Sequence, residues 1–265
     1  MRLRWTAAFP LLYAVLFSAV AGGLKGSGSL DPFLAGQRLL VRVLAFIGCF
    51  LAASVFERGD HLRSAWEWLG AGTVAIFLRD LLRLFPAFQP AAAGPWQQAV
   101  LSGLGVLANF ALLIGIWTLA RSWKKAAIEL PGGRSGVLAV SLVTAALAVL
   151  VAGPGALKGA QALSQGDWKF LIFFVSSVVD IISLCLITPL LLTAVSLRGG
   201  LFSWPWGLIT ASQLTWLLYD GAAALAPTPG GFPLAEVFRG LAETTLFAAG
   251  VAQYLVIRHV RRGAR

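Results

Sequence analysis

The stretch FLIFFVSSVVDIISLCLITPLLLTAV, residues 170–195, decides the fold. It carries one charged side chain, Asp180, and it exceeds the roughly 20 apolar residues that cross a hydrocarbon core of about 30 Å as a helix. Lipid offers the backbone no hydrogen-bonding partner, so a run of this kind predicts a spanning helix that satisfies its own N–H and C=O groups. Seven further runs flank it, approximately Trp5 to Leu24, Leu39 to Phe56, Trp66 to Phe85, Ala99 to Leu119, Val137 to Leu157, Trp204 to Leu225 and Leu234 to Ile257. Together they predict an all-α, polytopic integral membrane protein of eight transmembrane helices joined by short loops. Composition agrees, with 58% apolar and 12% charged residues against roughly 45–50% and 25% in soluble domains. Trp5, Trp66, Trp96, Trp168 and Trp204 stand at span ends, where interfacial anchors belong.

Lys and Arg number 21 against 11 Asp and Glu, a net charge of +10. In a soluble chain this would raise nucleic acid as a partner. Here the basic residues sit in short clusters between apolar runs, so the excess reads as topology, with no nucleic-acid partner expected. Arg2 and Arg4, Arg58 and Arg63, Arg121 to Arg134, Arg198 and Arg258 to Arg265 collect on one side; the other side's loops hold Lys25, Arg38, Lys158 and Lys169. The expectation is a multi-pass protein of the inner (plasma) membrane with both termini cytoplasmic and anionic lipid headgroups against its cytoplasmic face. Arg2, Arg4, the first apolar run and Ala19-Val20-Ala21 also imitate a cleavable secretory signal, although the run is longer than the usual 7–15 residues.

The two halves of the chain resemble one another. Leu24-Lys25-Gly26 recurs as Leu157-Lys158-Gly159, Trp66 and Asp80 match Trp206 and Asp220 at one offset, and Gly103, Leu104, Trp117 and Arg121 match Gly240, Leu241, Tyr254 and Arg258 at another. The expectation is two tandem four-helix repeats, residues 1–130 and 131–265. Four spans are an even number, so the repeats would run parallel, about an axis along the membrane normal. A removable first span would break that pairing.

Ionisable residues inside spanning helices face a bundle interior or a wet cavity and are candidate functional residues. Span six carries the polar stripe Ser176, Ser177, Asp180 and Ser183, and Asp180 has no basic residue within a turn; Arg42 in span two and Arg79 in span three are its expected partners. Asp80 and Arg83 share a face of span three and can neutralise one another, and Glu236, Arg239 and Glu243 form an acid–base–acid stripe on span eight. Span seven adds Gln213, Trp216 and Asp220 on one face. With the orientation above, Arg42, Arg79, Asp80, Asp180, Asp220, Arg239 and Glu243 share the outer half of the bilayer. With Gln213 and Trp216 they are the candidates for ligand binding or charge relay; the competing reading is internal ion pairs and packing.

Other chemistry finds no support. Only His61 and His259 are present, Cys49 and Cys185 lie inside apolar runs, and Gly153-Pro154-Gly155 lacks the Lys-Ser/Thr end of a phosphate loop. No nucleophile elbow and no intramembrane aspartyl-protease motif accompany Tyr219-Asp220, so no catalytic residue, metal or cofactor is expected. The Trp216-Leu217-Leu218-Tyr219-Asp220 segment, the proline-bearing loop of Pro227, Pro229 and Pro233, and a last helix ending in Arg258 and Arg261 resemble the end of the multi-helix membrane sensor modules of bacterial histidine kinases and diguanylate cyclases. The resemblance covers spans seven and eight. With only a few residues after span eight and no output domain, it implies a sensor that works through a separate partner protein. The leading expectation is a membrane sensor or partner-docking module with a polar cavity; a small-solute or proton-coupled transporter or channel using the same charges is the alternative.

Overall fold

The computed structural model describes residues 3–89, 92–125, 133–225 and 232–263. They form eight α-helices: α1 (Leu3–Gly23), α2 (Leu30–Ser54), α3 (His61–Leu82), α4 (Pro95–Lys125), α5 (Gly133–Ser164), α6 (Leu171–Ser196), α7 (Ser203–Leu225) and α8 (Leu234–Gly263). Single 3-10 turns at Pro86–Phe88 and Trp168–Phe170 lead into α4 and α6. The eight expected runs are thus eight helices, and α1, α2, α4, α5, α6 and α8 are long and apolar enough to cross a membrane. α3 and α7 have comparable lengths of 22 and 23 residues, but polar residues dilute their hydropathy. The boundary at residues 130/131 and the loop prolines Pro227 and Pro229 lie outside the described residues.

Several helices run past the limits set by hydropathy. α2 starts at Leu30, α5 continues to Ser164 and α8 to Gly263. The i to i−4 ladder is indifferent to side-chain polarity, so a helix continues into charged residues until a cap or turn stops it. α3 starts where the Asp60 carboxylate accepts from the Leu62 N–H at 2.8 Å, and the turns after α1, before α3 and before α6 use Gly26, Gly59 and Gly166 at positive φ. α6 passes through Pro189 as one helix; the carbonyl of Pro189 accepts from the Thr193 hydroxyl at 2.6 Å.

Six helices close a ring. Neighbours run α2, α3, α4, α6, α7, α8 and back to α2, while α1 lies outside against α8, and α5 lies outside against α6 and α7. α1 also meets the start of α2, where Phe17 stacks on Phe33 at 5.5 Å and Gln37 donates to the Tyr13 hydroxyl. Without a hydrophobic drive between helices in lipid, association rests on close backbone approach through small residues. Gly48 on α2 and Gly250 on α8 make the tightest such crossing: a Cβ on Gly48 would lie 2.6 Å from the Phe247 Cα, and one on Gly250 would run into the Gly48 carbonyl. Gly72 and Gly115 let α3 and α4 approach in the same way, against Leu112 and Leu69.

The ring is packed unequally along its length. At the end of the α2–α3 turn, Trp66, Leu69, Leu119, Leu190, Ile209 and Val256 belong to one apolar core. The other half holds charge.

Candidate functional site

The charged half of the ring encloses a cavity of about 150 Å³, lined by residues of all six ring helices and by none of α1 or α5. At roughly 30 Å³ per water, its share of the liquid volume, this is room for about five waters, or one small solute. Each helix presents residues spaced by three or four, which places them on one face: Thr73, Ile76 and Arg79 from α3; Asn109, Leu112 and Ile116 from α4; Ser176, Asp180 and Ser183 from α6; Gln213, Trp216 and Asp220 from α7; Arg239 and Glu243 from α8. Arg42 comes from α2.

Arg42 is 2% exposed and stands at the centre of a buried network. It pairs with Glu243, also 2% exposed, and its Nε lies 3.7 Å from Asp80 Oδ2. Asp80 accepts from the Arg79 guanidinium at 3.3 Å. Arg239 donates to Glu236 at 3.0 Å and to the Tyr219 hydroxyl at 2.6 Å, and Arg38 reaches Glu236 with two bonds of 2.8 and 3.1 Å. Aromatic rings back the guanidinium groups: Arg42 lies over Trp216 at 5.5 Å and Arg239 over Tyr219 at 4.9 Å, with the two rings edge to face. The network leaves hydrogen-bonding capacity unused. Arg42 Nε, Arg79 Nε, Asp80 Oδ2 and Glu243 Oε2 are buried without a hydrogen-bond partner.

Asp180 and Asp220 occupy the far side. Their carboxyl groups lie within hydrogen-bonding reach of one another, and the Ser176 hydroxyl donates to Asp180 at 3.4 Å. Among the described residues neither forms an ion pair. The expected pairing of Asp180 with Arg42 or Arg79 is therefore replaced: both arginines are taken by acids nearer to them, and the closest charged neighbour of Asp180 is another acid. The expected Asp80–Arg83 neutralisation is likewise replaced by Asp80 with Arg42 and Arg79. In the stripe on α8, Glu236 and Arg239 pair as expected, whereas Glu243 turns to Arg42.

The structure brings all nine candidate residues together: Arg42, Arg79, Asp180, Gln213, Trp216, Asp220, Arg239 and Glu243 line the cavity, and Asp80 supports it through Arg42 and Arg79. Sequence reading missed Arg38, which was assigned to a loop, and Tyr219 as partners in the network. The signal for Arg38 was its spacing: Arg38 and Arg42 are four apart on α2, and Glu236 and Glu243 seven apart on α8, so each pair shares a face and the two faces match. Among the described residues no three His, Cys, Asp or Glu side chains cluster as metal ligands. Cys49 and Cys185 are free thiols. No protein family, curated protein or solved structure matches the chain.

Proposed function

We propose that this chain is a membrane sensor of eight transmembrane helices that holds a small polar ligand in the ring cavity and signals occupancy to a partner protein. One observation carries the reading: a cavity lined by every helix of the ring, with buried charged groups whose hydrogen-bonding capacity is unfilled. Such groups are costly in an apolar medium unless something meets them, and a ligand bridging all six helices can shift how they pack. α3 and α7, the two helices outside the six apolar candidate spans, contribute three or four lining residues each, which supports counting them as spans whose polar side chains face inward. The likeness of α7 and α8 to kinase and cyclase sensor modules supports the sensor reading.

A transporter using the same charges is the second reading, and access separates the two. With Cys49 and Cys185 replaced by Ala, Gln213→Cys should react with a membrane-impermeant maleimide from one side of oriented vesicles only. Labelling from both sides would favour alternating access, and labelling from neither would remove the cavity as a ligand site.

The basic-residue asymmetry supports cytoplasmic termini in an inner membrane, with Arg258 to Arg262 beside anionic headgroups. Alkaline phosphatase fused after Gly166 should be active and after Arg134 inactive; the opposite pattern would invert the molecule. We also read the chain as a tandem duplication. Support comes from the ring, where the contacts α2–α3, α3–α4 and α2–α8 have the counterparts α6–α7, α7–α8 and α6–α4. α1 and α5 depart from that symmetry, since α1 lies on α8 while α5 lies on α6 and α7.

A further inference from the structure

We infer that the ligand is a small zwitterion carrying a primary ammonium and a carboxylate, bound with the ammonium on Asp180 and Asp220 and the carboxylate on Arg79 and Arg42. This rests on the reading that the cavity holds a ligand, and it names the class.

In the ring order α2, α3, α4, α6, α7, α8, helix α2 stands across from α6 and α3 across from α7. Arg42 and Arg79 therefore face Asp180 and Asp220 over the cavity. On the basic wall, four cations, Arg38, Arg42, Arg79 and Arg239, share three anions, Asp80, Glu236 and Glu243. The surplus cation of that wall is Arg38, whose side chain is 36% exposed and stands outside the cavity lining. Two of its buried donors, Arg42 Nε and Arg79 Nε, and two of its acceptors, Asp80 Oδ2 and Glu243 Oε2, form no hydrogen bond; Arg42 Nε faces Asp80 Oδ2 at 3.7 Å, which leaves Arg79 Nε as the donor with no carboxylate opposite it. On the acidic wall two carboxyl groups meet each other and a serine hydroxyl, and no described cation pairs with them.

A free anion would answer the basic wall and leave the acids, and a free cation would do the reverse. One molecule with both charges answers both, and each of its charged groups exchanges water for an opposite charge on the wall it meets. Its size follows from the cavity of about 150 Å³, about seven non-hydrogen atoms or fewer. The cationic head is an N–H donor rather than a methylated one. Carboxyl groups and the Ser176 hydroxyl accept hydrogen bonds, whereas the Trp216 and Tyr219 rings that would cradle a quaternary ammonium are already covered by Arg42 and Arg239.

The test is thermal unfolding of the purified full chain in nanodiscs with glycine, 4-aminobutyrate, glycine betaine, and methylamine plus acetate as separate solutes. Glycine or 4-aminobutyrate should raise Tm saturably, and betaine and the methylamine–acetate mixture should not. Asp220→Asn and Arg79→Gln should each weaken the response roughly tenfold or more, as loss of a charge-assisted bond does. Stabilisation by methylamine alone or by acetate alone would overturn the zwitterion in favour of a cation or an anion site. Stabilisation by betaine equal to that by glycine would overturn the N–H requirement. No shift with any solute, in protein whose Gln213→Cys labels from one side, would overturn the class while leaving the sensor reading. Failure of the labelling itself would sink that reading.

Discussion

Glu243→Ala should lower the stability of the folded bundle by about 3–5 kcal/mol, because it strands Arg42 in the interior with only Asp80, 3.7 Å from its Nε, as a counter-ion. The mirror change tests the same pair from the other side. Arg42→Met should be at least as damaging, since among the described residues Glu243 has no second cation, while Asp80 keeps Arg79 at 3.3 Å. The double variant Arg42→Met/Glu243→Leu should recover most of the loss, because neither charge then remains to be desolvated. Unfolding in mixed micelles, followed by far-UV circular dichroism, measures all three. Equal damage in the double and single variants would mean that the pair contributes packing rather than charge compensation.

Gly250→Ala should cost at least about 3 kcal/mol, at or beyond the upper end of ordinary overpacking, because the added methyl meets backbone and not a side chain that can rotate away. The Gly48 Cα would stand 2.8 Å from it, with the Gly48 carbonyl nearer still, so α2 and α8 must separate. Gly103→Ala is the control. No atom lies within 4 Å of a Cβ there, and the change should be neutral or stabilise by roughly 0.5–1 kcal/mol through helix propensity. The same unfolding measurement decides it; a mild Gly250→Ala would mean that the α2–α8 crossing has slack.

The helices were legible because the signal for each is local. A run of apolar residues declares its own backbone state wherever the rest of the chain goes, so Phe170 to Val195 read as a helix at once. The candidate residues were legible for a related reason: a charge in such a run must face inward, and Asp180, Asp220 and Glu243 do. Who meets whom was not legible. Arg42 could have reached several acids by any rule of spacing, and its choice of Glu243 over Asp180 depends on α8 crossing α2 at Gly48 and Gly250. That contact joins residues some two hundred positions apart. The loop assignment of Arg38 failed because hydropathy marks where a segment turns polar, not where its hydrogen-bonded ladder begins.

The separation of Arg42 from Glu243, 201 residues along the chain, sets an order of events during biosynthesis. At about 5–20 residues per second, Arg42 leaves the ribosome roughly 10–40 s before its partner exists. Asp80 arrives within the next hairpin and is the first of the two acidic partners of Arg42 to be made, so α2 and α3 can move into lipid together with that pair in place. Glu236 and Glu243 come with the last helix, which closes the circle around residues already waiting there. A nascent chain halted ahead of α8 would thus leave Arg38 without Glu236 and Arg42 with Asp80 as its acid.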